Sequence, residues 1–233
     1  MNRRFAITLL LACAACSQED PPSDQLAAEA EAIVAPAAAE PAPLAKGRYA
    51  PQDTCAEVEG ADAFRRQLAA AIEARDADAL AALAASDVKL DFGGGAGAAE
   101  LRKRLDDKSW DLWPELDELM RLGCSANDQG GITIPWFFDQ DLGTDPFSGM
   151  LVTGEDVPVL AEPDAASRPL ATVSWDVVEI AALDPESEFQ RVELGDKTVG
   201  FIATAKLRSL LDYRLIASSR NGKWSVTSFI AGD

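Results

Sequence analysis

The spacing of apolar positions changes once along this chain, near residue 130. Before that point the repeat is helical. Phe64, Leu68 and Ile72 recur every four positions, with Arg65, Arg66 and Glu73 off the stripe, and this predicts an amphipathic helix. A short second helix follows, with Asp76 or Asp78 as its cap and Leu80 and Leu83 on its inner face; Ser86-Asp87 ends it. Val88, Leu90 and Phe92 then alternate as a strand does. After a glycine cluster, residues 98–105 put Leu101 and Leu105 on one helical face. "WPELDELMRLG" predicts another helix. Pro114 sits in its first turn, Glu115, Asp117 and Glu118 lie near the positive end, and Gly123 stops it. Trp113, Leu116, Leu119 and Met120 form its apolar face.

Past Gly130-Gly131 the period drops to two. "ITIPWFF", "MLVTG", "VPVLAEP", "PLATVSWDVVEIA", "FQRVELG", "KTVGFIATAKL", "DYRLIASS" and "KWSVTSFIAGD" are short β-type runs between turn signals. That spacing predicts a small barrel or sandwich rather than βαβ units. The clearest hairpin is "IASSRNGKWSVTSF", because Asn221-Gly222 favours a type I′ turn.

The N-terminus changes the picture of where this fold works. Arg3 and Arg4 precede an apolar run, Phe5 to Ala12, which is too short to cross a bilayer and reads as a secretory signal. "LACAAC" resembles the lipobox of bacterial lipoproteins. That resemblance implies lipidation of Cys16 after loss of residues 1–15, with Cys13 as the competing position. Residues 16–50 are rich in Ala, Pro and Glu and poor in large apolar side chains, so they read as a disordered tether. The expected place is the bacterial cell envelope, lipid-anchored and facing the periplasm.

Charge and cysteine content then narrow the chemistry. The chain carries 21 basic and 39 acidic residues, a net −18, and loss of Arg3 and Arg4 with the signal makes it −20. A nucleic-acid partner is therefore not expected. Cys55 and Cys124 are the cysteines left after the signal pair, and an oxidising compartment favours a bond between them. Histidine is absent, which removes Ser–His–Asp, Cys–His and histidine-ligated metal chemistry. No catalytic residue, cofactor or metal ligand is assigned.

Two further resemblances bear on the fold. "EDVPVLAEPDAASRPLATVSWDVVEI" and "FQRVELGDKTVGFIATAKLRS" resemble the bacterial SH3-like domain family, over residues 150–211. This chain departs from that pattern with "VPVLAEPD" where "VNVRSGPS" is frequent, and with Phe189 in place of a common Trp. The resemblance implies a small β-barrel that binds cell-wall or peptide partners. "FRRQLAAAIEARDADALAALAASDVKLDFGG" and "YRLIASSRNGKWSVTSFIAGD" are similar to the opening and closing parts of the nuclear transport factor 2-like cone fold. The expected class is thus α+β: a helix-rich region 51–149, an SH3-like barrel 150–211, and a hairpin 212–233 that either completes the first domain or packs beside the barrel.

Candidate sites follow from this layout. The four glycines between 93 and 97 invite a phosphate-loop reading, but Ala98-Ala99-Glu100 supplies neither the Lys nor the Ser or Thr that a Walker loop needs. A helix, not a second strand, comes next, so a dinucleotide fold fails too. A turn from strand to helix explains the glycines. Asp139, Asp141 and Asp145 mimic part of a calcium loop, yet Gly143 is one place early and Met150 stands where a Glu is required; an acidic surface turn is expected. Trp136, Phe137, Phe147 and Trp175 are either core or a partner surface. The leading expectation is a non-enzymatic envelope lipoprotein whose barrel binds a peptidoglycan peptide or another envelope protein. A ligand-binding or weakly catalytic cone pocket near Asp91 is the alternative, and a purely structural assembly role is a third.

Overall fold

The computed structural model describes residues 45–232. The signal, Cys13, Cys16 and the tether through residue 44 lie outside the described residues. Residues 45–50, assigned above to the tether, pack onto the fold instead. The ring of Tyr49 is buried, its amide donates to the Trp175 carbonyl at 2.8 Å, and its hydroxyl donates to the Asp141 carbonyl at 3.0 Å. One large aromatic side chain is enough to anchor a segment otherwise poor in apolar surface.

The helical repeat produces four α-helices: α1 (Ala61–Glu73), α2 (Ala77–Ala82), α3 (Ala98–Asp106) and α4 (Leu112–Leu119). The predicted stripe of α1 is buried at Phe64, Leu68 and Ile72. Asp76 caps α2 by accepting from the Ala79 amide at 2.9 Å. The helices cover a sheet built from β1 (Ala84–Lys89), β2 (Ser125–Ala126), β3 (Ile132–Ile134), β11 (Arg214–Arg220) and β12 (Lys223–Ile230). Its order is β1-β12-β11-β3-β2, with β1 and β12 parallel and the other pairs antiparallel. Asn221 and Gly222 join β11 to β12 with φ of 54° and 75°, the two positive values a type I′ turn needs.

The first strand starts earlier than its alternation predicts. Ala84 pairs with Val226 and the Val226 amide donates to the Leu83 carbonyl, so pairing to β12 takes over directly from the end of α2. Long-range pairing has overridden the local signal. Phe92, read as the strand's last inward residue, lies beyond it and is 50% exposed.

Between β3 and β11 the chain forms a second sheet. Its strands are β4 (Gly149–Val152), β5 (Val157–Leu160), β6 (Pro169–Val173), β7 (Val177–Ile180), β8 (Phe189–Glu193), β9 (Val199–Ala203) and β10 (Leu207–Ser209). The order is β10-β4-β7-β8-β9-β5-β6, all antiparallel. Because β11 and β12 return to the first sheet, this second sheet is an insertion in the helix-backed unit. It is not a closed barrel: β10 and β6 are its ends, and no pairing joins them among the described residues. The architecture is α+β.

Three buried clusters hold the molecule together. The largest lies between the helices and the five-strand sheet and includes Leu68, Leu116, Ile132, Leu215 and Val226. A smaller aliphatic cluster, with Val159, Val178 and Ile202, sits inside the seven-strand sheet. The third packs Tyr49, Leu122, Trp136, Phe137 and Leu210 against Leu151 of β4. The expected disulfide is present. Cys55 and Cys124 are bonded with Cα atoms 5.7 Å apart, across 69 positions of sequence. Gly123 makes this approach achievable, since a Cβ there would stand 2.2 Å from the Gln52 carbonyl oxygen.

Candidate functional site

The glycine cluster is a cradle for an anion, and the anion is internal. Asp91 Oδ1 accepts from the amides of Gly93 and Gly95, both at 2.8 Å, while Oδ2 accepts from Arg104 at 2.6 Å. A Cβ on Gly95 would fall 2.0 Å from the Asp91 carboxylate and 2.1 Å from the Arg104 guanidinium, so only glycine fits there. Arg104, on α3, also bonds Glu100 at 3.0 Å and stacks on Trp110 at 4.3 Å. The Arg104 guanidinium beside Asp91, helped by the Gly95 amide, holds that carboxyl below the usual aspartate range. Burial works against the Arg104 charge, but Asp91 and Glu100 outweigh it and keep the group above the ordinary arginine value.

Behind this pair, the wall formed by Leu90, Leu101, Arg104, Leu112, Tyr213 and Phe229 encloses no space for even a water molecule. Asp91 is therefore engaged in an internal ion pair, and side chains fill the space behind it. Burial also pushes the Tyr213 hydroxyl up, so it stays protonated.

The four aromatic candidates separate cleanly. Trp136 and Phe137 are buried in the third cluster, and Trp175 packs half-buried against the same cluster with φ of 43°. Phe147 is 72% exposed. It stands on the loop that leads into β4, where the Asp145 carboxylate accepts from the Phe147 amide at 2.9 Å and fixes the turn. The Asp141 carboxylate does the same for Gly143 at 3.0 Å. Two aspartates of the calcium-like motif, Asp141 and Asp145, thus cap turns. Among the described residues, the one cluster with metal-ligand spacing is Asp53, Cys55 and Cys124, whose cysteines are already bonded to each other.

That same loop borders a groove of about 600 Å³. Phe137, Leu142 and Leu210 give it an apolar floor, and Asp141, Asp145 and Glu179 line it with carboxylates. Thr144 donates to Glu179 at 3.3 Å across the groove, tying the loop to β7. Volume and lining fall in the range of sites that hold a small ligand or a short peptide.

A second ion cluster ties the inserted sheet to the helices. Arg208 on β10 is 3% exposed and bonds Glu115 of α4 at 2.5 Å, with Glu118 at 3.3 Å and Asp212 at 3.5 Å. Its guanidinium also donates to the Tyr213 carbonyl at 3.0 Å. Burial raises the Glu115 carboxyl above its usual value even with Arg208 beside it. Sequence reading missed Arg104, Arg208 and Leu210. Arg104 carried one usable signal, since it lies on the α3 face of Leu101 and Leu105, where an unpaired charge would be costly.

No protein-family model, no curated protein and no solved structure matches this chain.

Proposed function

We propose that this protein is a non-enzymatic, lipid-anchored protein of the bacterial cell envelope whose inserted seven-strand sheet is an SH3-like binding module. The groove beside Phe147 takes a peptide: a peptidoglycan stem peptide or a segment of an envelope partner. One observation carries this reading: a large aromatic side chain left 72% exposed, directly after Pro146, on the loop that lines an apolar-floored groove. The carboxylates along that groove fit a peptide with a free amino group. The absence of histidine and the use of Asp91 in an internal ion pair favour binding over catalysis.

Sedimentation of the purified full chain with peptidoglycan tests it. Phe147→Ser should leave the fold intact and move most of the protein from pellet to supernatant. Unchanged pelleting of that variant and of Leu142→Asp, both shown folded by circular dichroism, would remove the groove from consideration.

A further inference from the structure

A separate hollow of about 470 Å³ lies over the five-strand sheet, on the face turned away from the helices. Its floor is a cross-strand row. Ser125 pairs with Thr133, Thr133 with Ile216 and Ile216 with Ser228, so these side chains share one face. Their neighbours Ile132, Ile134, Leu215 and Ala217 point the other way, into the helical core. Two loop segments wall the floor, the 127–131 turn on one side and Asp139-Gln140 on the other.

The floor is polar yet shielded. Thr133 is 2% exposed and Ser125 5%. The Thr133 hydroxyl accepts from the Asn127 side-chain amide at 3.3 Å, and among the described residues nothing accepts its proton. Ser125 has only a long bond, 3.4 Å, to the carbonyl of the next residue. Asn127 is fixed in turn, because its side-chain oxygen accepts from the amides of Gln129 and Gly131 at 3.2 and 2.9 Å. Shielded hydroxyls with spare hydrogen-bonding capacity call for an occupant that supplies partners.

The donor set defines that occupant. Hydroxyls, carboxamides (Asn127, Gln129, Gln140) and carboxylates (Asp128, Asp139) surround the hollow, and no Lys or Arg lines it. An anionic ligand would meet repulsion without a compensating cation. A neutral polyol matches, since each hydroxyl both donates and accepts. Ile216 adds one apolar contact at the end of the lining row, which suits the C–H face of a sugar ring or the methyl of an N-acetyl group. The walls close the hollow on two sides over a sheet face, a shape for a ring rather than for a peptide added along a strand edge. We propose that this hollow binds one unit of a neutral saccharide. The hollow adjoins the groove near Phe147, since Gln140 lines both, but its floor is the five-strand sheet.

The test is an amide chemical-shift titration of the folded, disulfide-intact chain. N-acetylglucosamine trimer and maltotriose serve as neutral probes, a galacturonic acid trimer as the anionic one, and a blocked alanine tripeptide as the peptide control. The neutral sugars should shift Ser125, Asn127, Gln129 and Thr133, and the anionic sugar should not. A stronger response to the N-acetylated trimer would place its methyl on Ile216. Thr133→Val keeps the volume and removes the hydroxyl, and it should weaken binding about tenfold, the worth of one hydrogen bond lost in a shielded site. Gln129→Ala, at an exposed turn tip, should weaken it less and keeps the test decisive if Thr133→Val misfolds. No shift with either neutral sugar at about 10 mM, a range that still detects very weak sites, overturns the proposal. So does a response to the tripeptide alone, or full affinity in both variants.

Discussion

The five-strand sheet buries its inner face under α-helices, whereas the seven-strand sheet has no α-helix of its own and folds over eight buried side chains no larger than Met or Ile. The first region also carries the disulfide and the Arg104–Asp91 pair, and its interior is filled. The second borders a groove of about 600 Å³, and Phe147 stands where the chain leads into it. Both regions expose an aromatic ring, but Lys89 and Arg214 lie against the Phe92 ring, while among the described residues no cation stacks on Phe147. Rigidity and openness are thus divided between the two. On the function proposed above, the helix-backed unit would be the frame and the insertion would present the peptide-binding surface.

The largest break in this division should come from the disulfide. Replacing Cys55 and Cys124 with Ala should lower stability by about 4 kcal/mol, from the chain entropy of a loop of this length. Denaturant unfolding measures the loss. Hydrogen exchange should quicken most in α1 and α4, which flank the bridge, and least in β7–β9. Uniform quickening in both sheets would mean that the two regions unfold as one.

Arg208 comes next, because it is the charged contact between them. Arg208→Met should cost about 3 kcal/mol by leaving Glu115 half of a broken buried pair. Adding Glu115→Gln should recover most of that. The pH dependence has a definite sign. Glu115 is raised in the folded state, so it favours folding below its unfolded value and loses that contribution as pH rises through the folded one. Without Arg208 the carboxylate has lost its main counter-charge, and the penalty of the single variant should deepen as pH rises through that range.

Asp91 should behave in the opposite way, with a smaller effect. Its folded value is depressed by Arg104, so its contribution is full above the unfolded value of about 3.9 and fades as pH falls through the folded one. Asp91→Asn should be less stable than wild type at neutral pH and converge with it in acid. A constant gap across the titration would show that the carboxylate charge is not what closes the glycine loop.

These contrasts also show where the sequence was informative. The α1 stripe, the Asn221-Gly222 turn and the cysteine pairing each depend on local chemistry or on a single available partner, and each is present in the structure. Contacts fixed by distant residues were not legible. Arg208 and Glu115 lie 93 positions apart, and nothing local marks either as half of a pair. Alternation assigns a residue to a face but does not say what covers that face. Trp136 and Phe137 are therefore core while Phe147, ten residues on, is open. The glycine loop was half readable: its sequence excluded an external phosphate, but its internal anion appears only once α3 brings Arg104 to Asp91.

The division of labour is tested most directly by comparing two exposed phenylalanines, Phe92 and Phe147, in one peptidoglycan-sedimentation assay. Phe147→Ser should leave stability within about 0.5 kcal/mol of wild type, as surface changes do, and Phe92→Ser should cost about 1 kcal/mol through its lost contacts with Lys89 and Arg214. Binding should be lost with Phe147→Ser and kept with Phe92→Ser. Equal binding by both variants, or loss only with Phe92→Ser, would contradict a frame that presents its partner surface on the insertion.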